Sequence, residues 1–367
     1  MTKKYNTCLT KDYISTWTTI EATRELIQNA LDCGSYNIYK NSGDAIVIET
    51  TVGEISPQNL LLGVGSKTYD NNTRGGFSEG LLLALLVLAR AETPLQFTNG
   101  SKEWIPTFEY NDNYGCETLT IIEQDALATF ENGVKIVVDL GEDVTEEVEL
   151  NTLQMQGEYD KFVTEKGTIL LDDKHKGRIY VGGLFVDSFS SDYGFDFTPE
   201  SFSLDRDRKT LRPFDIQWKI REMVSLMSHK EVSEEVSDRL VNSMSTQDKA
   251  FEYIDEGHIS TNKNFVNSAE KLYKEEYNGM ILTHDIAEAD KLKAAGNNNV
   301  QYCANKSFVT LVQKSESHQV VFGARKEQEE ISSKQLLDNF EDEWQYEMGT
   351  ELYEAWRELV DELKDRM

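Results

Sequence analysis

The sequence predicts an α/β protein with more than one domain, and three observations predict it. Residues 20–33 repeat apolar side chains at helical spacing. Short β-rich runs bounded by turn residues recur at 45–51, 95–98, 107–110, 117–123 and 134–140. Residues 81–90 are almost wholly apolar and follow a glycine-rich loop, which reads as a buried helix. A chain of 367 residues is long enough for two or three such units.

The first unit is expected over 1–145. In helix 20–33, Ala22, Leu26, Ile27, Ala30 and Leu31 supply the packing, while Glu25, Asn29 and Asp32 stack on one face at i, i+4 and i+7. A strand at 45–51, a lid-like loop at 63–80 and the helix at 81–90 follow, then the remaining strands. Residues 141–149, rich in Glu and Asp, read as a charged connector into a second unit at 146–229. There, β-rich runs at 167–171 and 177–186 surround a polar turn and read as a hairpin. The apolar residues Ile216, Ile220, Met223, Val224 and Met227 then mark a helix. The third unit, 230–367, reads as strand 279–283, helix 285–296, strand 300–304 and helix 307–314, a small βαβ arrangement. No glycine-rich loop precedes its last helix, so that arrangement reads as structural or partner-binding. Residues 326–367 carry fourteen Asp/Glu against five Lys/Arg. Their stripe of Leu352, Ala355, Trp356, Leu359, Val360 and Leu363 reads as helical core packing rather than a partner site.

The chemistry sits in the first unit. A carboxylate and a carboxamide one helical turn apart suit a particular job. The Asn29 amide oxygen can ligate a hard cation such as Mg2+, and Glu25 can polarise a water for attack on a phosphoryl group. An ordinary polar helix face is the plainer reading of that spacing taken alone. The segments Gly63-Val64-Gly65-Ser66-Lys67-Thr68 and Arg74-Gly75-Gly76-Phe77-Ser78-Glu79-Gly80 then feed the apolar helix. Glycine-rich backbone at a helix N-terminus is an anion site, because N–H groups converge there and the helix dipole favours negative charge. Turns use the same residues. The order is more specific than either part: acid/amide helix, strand, glycine loop, apolar helix.

That order resembles the GHKL ATPases, the superfamily of gyrase B subunits, the large heat-shock chaperone, sensor histidine kinases and MutL proteins. Glu25-Leu-Ile-Gln-Asn29-Ala-Leu-Asp32-Cys-Gly-Ser is similar to the first family motif, Glu-x-x-x-Asn-x-x-Asp-Ala-Gly. The resemblance makes Glu25 the general base and Asn29 the Mg2+ ligand. Gly75-Gly76-Phe77-Ser78-Glu79-Gly80 resembles the phosphate-loop motif Gly-x-Phe-Gly-x-Gly, and Ser66-Lys67-Thr68 the lid segment of the mismatch-repair branch. Over roughly the first 140 residues it implies a GHKL-type α/β sandwich that binds Mg2+ with ATP. A second, transducer-like α/β unit and a mixed, helix-rich acidic C-terminal region would follow. The nucleotide-binding set is Asn29, Asp32, Thr50, Lys67, Gly75, Gly76, Phe77, Ser78, Glu79 and Gly80. In gyrase and mismatch-repair relatives a basic side chain of the second domain reaches the γ-phosphate. Arg206, Arg208 and Lys209 are candidates by chemistry, with a surface salt-bridge cluster as the alternative.

The chain departs from the family at three points. Thr50 stands where an aspartate recognises the adenine amino group, with Glu49 the only nearby carboxylate. Ser78 replaces a phosphate-loop glycine, and Val134 replaces a threonine leading the last strand. These changes bear on base specificity and tight nucleotide binding, and leave Glu25 and Asn29 intact.

Charge bounds the partners. A net charge of −28 repels nucleic-acid phosphates, so direct DNA binding is disfavoured and a protein partner with a basic surface is expected. Solubility alone is the commoner reason for such acidity. No run reaches a membrane span, and the first residues, Met-Thr-Lys-Lys-Tyr-Asn, have no apolar signal region. Four scattered cysteines fit a reduced, cytoplasmic setting, which would be the host cytoplasm if the Asn- and Tyr-rich, Pro-poor chain is phage-encoded. A homodimer is a further expectation. Two functions follow: an ATPase driving conformational change in a client, or an interaction module with the same fold and weak or no hydrolysis, acting through its acidic surface. The intact pair of Glu25 and Asn29 favours the first.

Overall fold

The computed structural model describes residues 2–61, 79–202, 211–227, 231–246, 248–252, 254, 259–277, 279–319, 356 and 360. The chain is α/β and divides into two compact units, Met1–Lys219 and Ile220–Met367. Among the described residues, no helix is long and apolar enough to cross a membrane.

The first unit is built on a seven-stranded sheet of order β1-β6-β5-β4-β7-β3-β2, all neighbours antiparallel. Its strands are β1 (Lys3–Asn6), β2 (Tyr36–Lys40), β3 (Ile46–Thr50), β4 (Leu95–Asn99), β5 (Lys102–Asn111), β6 (Cys116–Asp125) and β7 (Val134–Val138). Side chains alternate between faces. Ile46, Ile48, Phe97, Trp104, Leu119, Ile121, Val134, Ile136 and Val138 share one apolar cluster with helices α1 (Thr19–Cys33) and α2 (Gly80–Arg90). That face is therefore the one the helices cover. Helix α2 is buried from Leu82 to Leu88, as an all-round apolar helix must be.

Local chemistry fixes the start and stop of α1. Thr18 and Glu21 form a reciprocal capping box, with Thr18 N–H donating to Glu21 Oε2 at 2.8 Å. Gly34 ends the helix at φ 78°, a left-handed value that glycine adopts without strain. The segment before α1 is tied to the end of α2 by Arg90. Its guanidinium donates to the carbonyls of Lys11 (3.0 Å), Tyr13 (3.1 Å), Ile14 (3.4 Å) and Trp17 (2.7 Å). Ile14 has φ 47°, a costly conformation for a β-branched residue, and this anchor holds it.

Two sequence expectations are corrected. Residues 141–149 are not a connector: α3 (Glu142–Leu150) forms there, with Glu142 and Asp143 in its first turn, where the helix dipole favours them. Val148 enters the core, and Thr145 Oγ1 donates to Asp44 O at 2.9 Å. The runs at 167–171 and 177–186 do not pair with each other. The second sheet contains β8 (Lys161–Thr164), β9 (Gly167–Leu170), β10 (Arg178–Val181), β11 (Leu184–Ser188) and β12 (Gly194–Phe197), in the order β11-β10-β12-β9-β8. Strand β12 enters between the two runs, antiparallel to β9 and parallel to β10. The tight hairpin lies inside the second run, where Gly182 (φ 59°) and Gly183 (φ 84°) supply the two positive φ values of a two-residue turn.

Below this sheet His175 is fully buried. Its Nε2–H donates to Gln156 Oε1 at 2.9 Å, and its Nδ1 has no partner among the described residues. Burial, helped by the Lys174 charge, lowers its pKa to about 4. The unfolded chain takes up this proton near the ordinary value of about 6.5, the folded chain only near 4, so stability falls as pH drops through that window. The loss at the acid end is about 3 kcal/mol from this group. Urea midpoints measured from pH 7 to 4 should fall less steeply for His175→Gln than for the parent. Parallel profiles would contradict the assignment.

In the second unit α4 (Pro213–Met227) crosses the boundary, and Ile216, Ile220, Met223, Val224 and Met227 are all buried as the spacing predicts. Helices α5 (Glu234–Ser245) and α6 (Lys263–Glu276) pack together. Strand β13 (Ile281–Thr283), helix α7 (Ile286–Ala294) and the parallel strand β14 (Val300–Tyr302) form the expected βαβ unit, followed by α8 (Lys306–Gln313). Of the C-terminal stripe, Trp356 and Val360 are helical and Val360 is buried, while Leu352, Ala355, Leu359 and Leu363 lie outside the described residues.

Candidate functional site

Helix α1 is buried on most sides, so a polar residue there needs a reason. Glu25 is only 5% exposed, and its carboxylate lies against the first residue of α2. A Cβ added at Gly80 would fall 2.3 Å from Glu25 Oε2 and 3.3 Å from Cδ. Only glycine allows this approach. The carboxylate thus meets the positive end of the α2 dipole, where backbone N–H groups lack intrahelical partners. Glu79 precedes it at the N-cap and does not cap α2 with its side chain. Two residues 55 positions apart, Glu25 and Gly80, are brought together.

One turn along α1 is Asn29, and a turn further is Asp32, both half-buried on the face that carries Glu25. A carboxamide oxygen and a carboxylate are hard donors, the type Mg2+ prefers. The residues present therefore fit that ion.

The far end of α1 runs into Gly34 and Ser35, and Ser35 Oγ meets Thr51 Oγ1 at 2.8 Å. This brings the end of β3, with Thr50, beside the C-terminus of the helix. From Glu25 to Cys33 the helix rises about 12 Å. Thr50 pairs with Val134 on β7, and Val134 with Asn99 on β4, so these three form a row at the rim of the sheet. Thr50 shares its face with Ile46 and Ile48, hence with the helices. Glu49 faces the other way. It is bound to Lys135 at 2.8 Å and accepts from Asn37 Nδ2 at 3.2 Å, partners that hold its pKa below the ordinary value although burial opposes them. It is not available to a ligand beside α1.

Asn99 completes the rim. Its Oδ1 accepts from Ile55 N–H and its Nδ2 donates to Ile55 O, both at 2.8 Å, which pins the segment after β3. Gly133 lies so close to Thr50 that an added Cβ would fall 2.0 Å from the Thr50 carbonyl oxygen. These contacts, together with the Arg90 anchor, are positioning devices that motif spacing does not reveal.

Of the residues singled out from the sequence, Glu25, Asn29, Asp32, Thr50, Glu79 and Gly80 lie on the helical face of this sheet or at its rim. Lys67, Gly75, Gly76, Phe77 and Ser78 lie outside the described residues, as do Arg206, Arg208 and Lys209. Comparison with protein-family models and with curated proteins finds no match to the chain.

Proposed function

We propose that the chain is a GHKL-type ATPase that uses Mg2+ with ATP to drive a conformational change in a client. The observation that carries this reading is the Glu25 carboxylate held against Gly80 at the N-terminus of α2, with Asn29 one turn away. Hydrolysis needs a base for water beside a cradle for phosphate oxygens, and a carboxylate lying against a helix N-terminus supports that reading. Two helices packed on one face of an antiparallel sheet support the reading.

In this mechanism Asn29 would hold Mg2+, which would supply positive charge for the phosphates, and Asp32 would belong to the nucleotide-binding set. The loop at Gly75, Gly76, Phe77 and Ser78 and the start of α2 bind the phosphate oxygens, and Glu25 accepts the proton of the attacking water. The base lies towards Thr50. Steady-state phosphate release from Mg-ATP by the purified chain tests the reading. Turnover that saturates with ATP supports it, and none at millimolar ATP contradicts it.

The base end makes a separate prediction. Thr50 offers a hydroxyl where a carboxylate would accept from the adenine amino group, and Glu49 faces away. Lack of a charged hydrogen bond forfeits about 1.5–3 kcal/mol. ATP and GTP should therefore compete almost equally, and Thr50→Asp should shift preference to ATP by at least about tenfold. Strong adenine preference in the parent would mean that another group reads the base.

The client we infer is a protein with a basic surface, because a chain of net charge −28 gains nothing from counterion release on DNA. Fluorescence anisotropy with a labelled duplex at 0.15 M salt should show no saturable binding. Tight duplex binding would return the reading to an ATPase that acts on DNA.

A further inference from the structure

Among the described residues of the second unit, strand β13 pairs with β14 alone, and its other edge borders a cavity of about 370 Å³. The parallel pairing decides which backbone groups face that cavity. Ile281 N–H donates to Asn299 O, and Thr283 O accepts from Cys303 N–H, both on the β14 side. By the alternation of a strand, the N–H and C=O of Leu282 point the other way. Among the described residues they are met there by two side chains and not by a strand. Leu282 N–H donates to His318 Nε2, and Gln313 Nε2 donates to Leu282 O, each at 3.4 Å. Both bonds are long against the usual 2.9–3.0 Å. His318 is buried, 3% exposed, and faces the edge with an acceptor nitrogen, while Gln313 is exposed at the end of α8. At the mouth, Glu288 accepts from the Thr283 hydroxyl and adds a carboxylate.

We propose that this cavity is a binding site for a small heterocyclic amide, a lactam of nucleobase size, whose adjacent acceptor and donor take over Leu282 N–H and C=O from His318 and Gln313. A buried edge presenting one donor and one acceptor side by side matches a planar group with the complementary pair. The exchange replaces two long bonds by two of normal length. A peptide strand fits the edge less well: β13 is three residues long and turns only the Leu282 pair outward, whereas strand addition draws on successive pairs along an edge. Ile281 and Leu282 supply the apolar wall, and Glu288 and Gln319 supply polar groups at the rim. The volume lies within the range of small-molecule pockets. This site is independent of the nucleotide site and stands or falls separately from it.

Saturation-transfer NMR on the full-length chain tests the proposal with 2-pyridone, hypoxanthine and N-methyl-2-pyridone, which lacks the donor. A short acetylated, amidated Val-Thr-Val peptide is the fourth probe. Transfer is expected to 2-pyridone and hypoxanthine, with affinity for N-methyl-2-pyridone lower by about tenfold for one lost hydrogen bond. Gln313→Ala removes a competitor for the carbonyl and should keep or tighten binding. Gln313→Trp, at an exposed position, should plug the mouth and abolish it without unfolding, as a thermal melt would verify. Asn29→Ala should leave lactam binding unchanged. No transfer from either lactam at millimolar concentration would overturn the proposal. So would equal transfer from the N-methyl compound, persistence in Gln313→Trp, or binding of the peptide alone.

Discussion

Glu25→Ala is expected to lower phosphate release by about 10²–10⁴-fold, the range general-base catalysis supplies, while Mg-nucleotide affinity stays nearly unchanged. In the proposed mechanism the carboxylate would act on water in the transition state and not on the bound nucleotide, so its loss should fall on turnover. Asn29→Ala should behave differently and lose binding and turnover together, because the residue that would hold Mg2+ in the proposed mechanism is gone. Two residues one turn apart on one helix thus separate kinetically. Release rates and nucleotide titrations on both variants measure the split. Parent-like hydrolysis in both would show that the site is elsewhere.

Gly80→Ala carries the second large effect, and its sign is informative. Inside most helices a glycine-to-alanine change stabilises by roughly 0.5–1 kcal/mol through helix propensity. Here the new methyl group would lie 2.3 Å from Glu25 Oε2 and 3.3 Å from its Cδ. The atom in the way is the end of a side chain that can rotate, so the fold survives and the carboxylate is displaced. The expected result is a melting temperature within a few degrees of the parent, with phosphate release reduced by about 10²-fold or more, as for other misplaced catalytic groups. A stable variant with full activity would show that the position of Glu25 at α2 does not matter to the chemistry.

Much of this arrangement was legible in local sequence. The spacing of Ala22, Leu26, Ile27, Ala30 and Leu31 predicts α1, and the all-apolar stretch predicts α2 within a residue of its observed start at Gly80. The βαβ segment is readable for the same reason: strand, helix and strand each carry their own periodicity. Helix α3 was not, because Val144 and Val148 are its only large apolar residues before the terminal leucine, too few to stand out from the charge. The place of β12 between β10 and β9 was hidden too, since a strand inserted from later in the chain leaves no local mark. Arg90 illustrates the same limit, with carbonyl partners 73 to 79 residues away. Glu49 is a different case. Ile46 and Ile48 face the helices, so period-two alternation already put Thr50 on that side and Glu49 on the other. That signal was present in the sequence, and it agrees with the placing of Thr50 at the aspartate position.

Isothermal calorimetry with Mg-ATP tests the central claim most directly, because it reads nucleotide and metal together without requiring turnover. The account predicts saturable heat for the parent, retained in Glu25→Ala, lost in Asn29→Ala, and reduced for the parent when Mg2+ is chelated. No heat from Mg-ATP, Mg-GTP or ADP at millimolar concentration would contradict it, as would parent-like binding in Asn29→Ala.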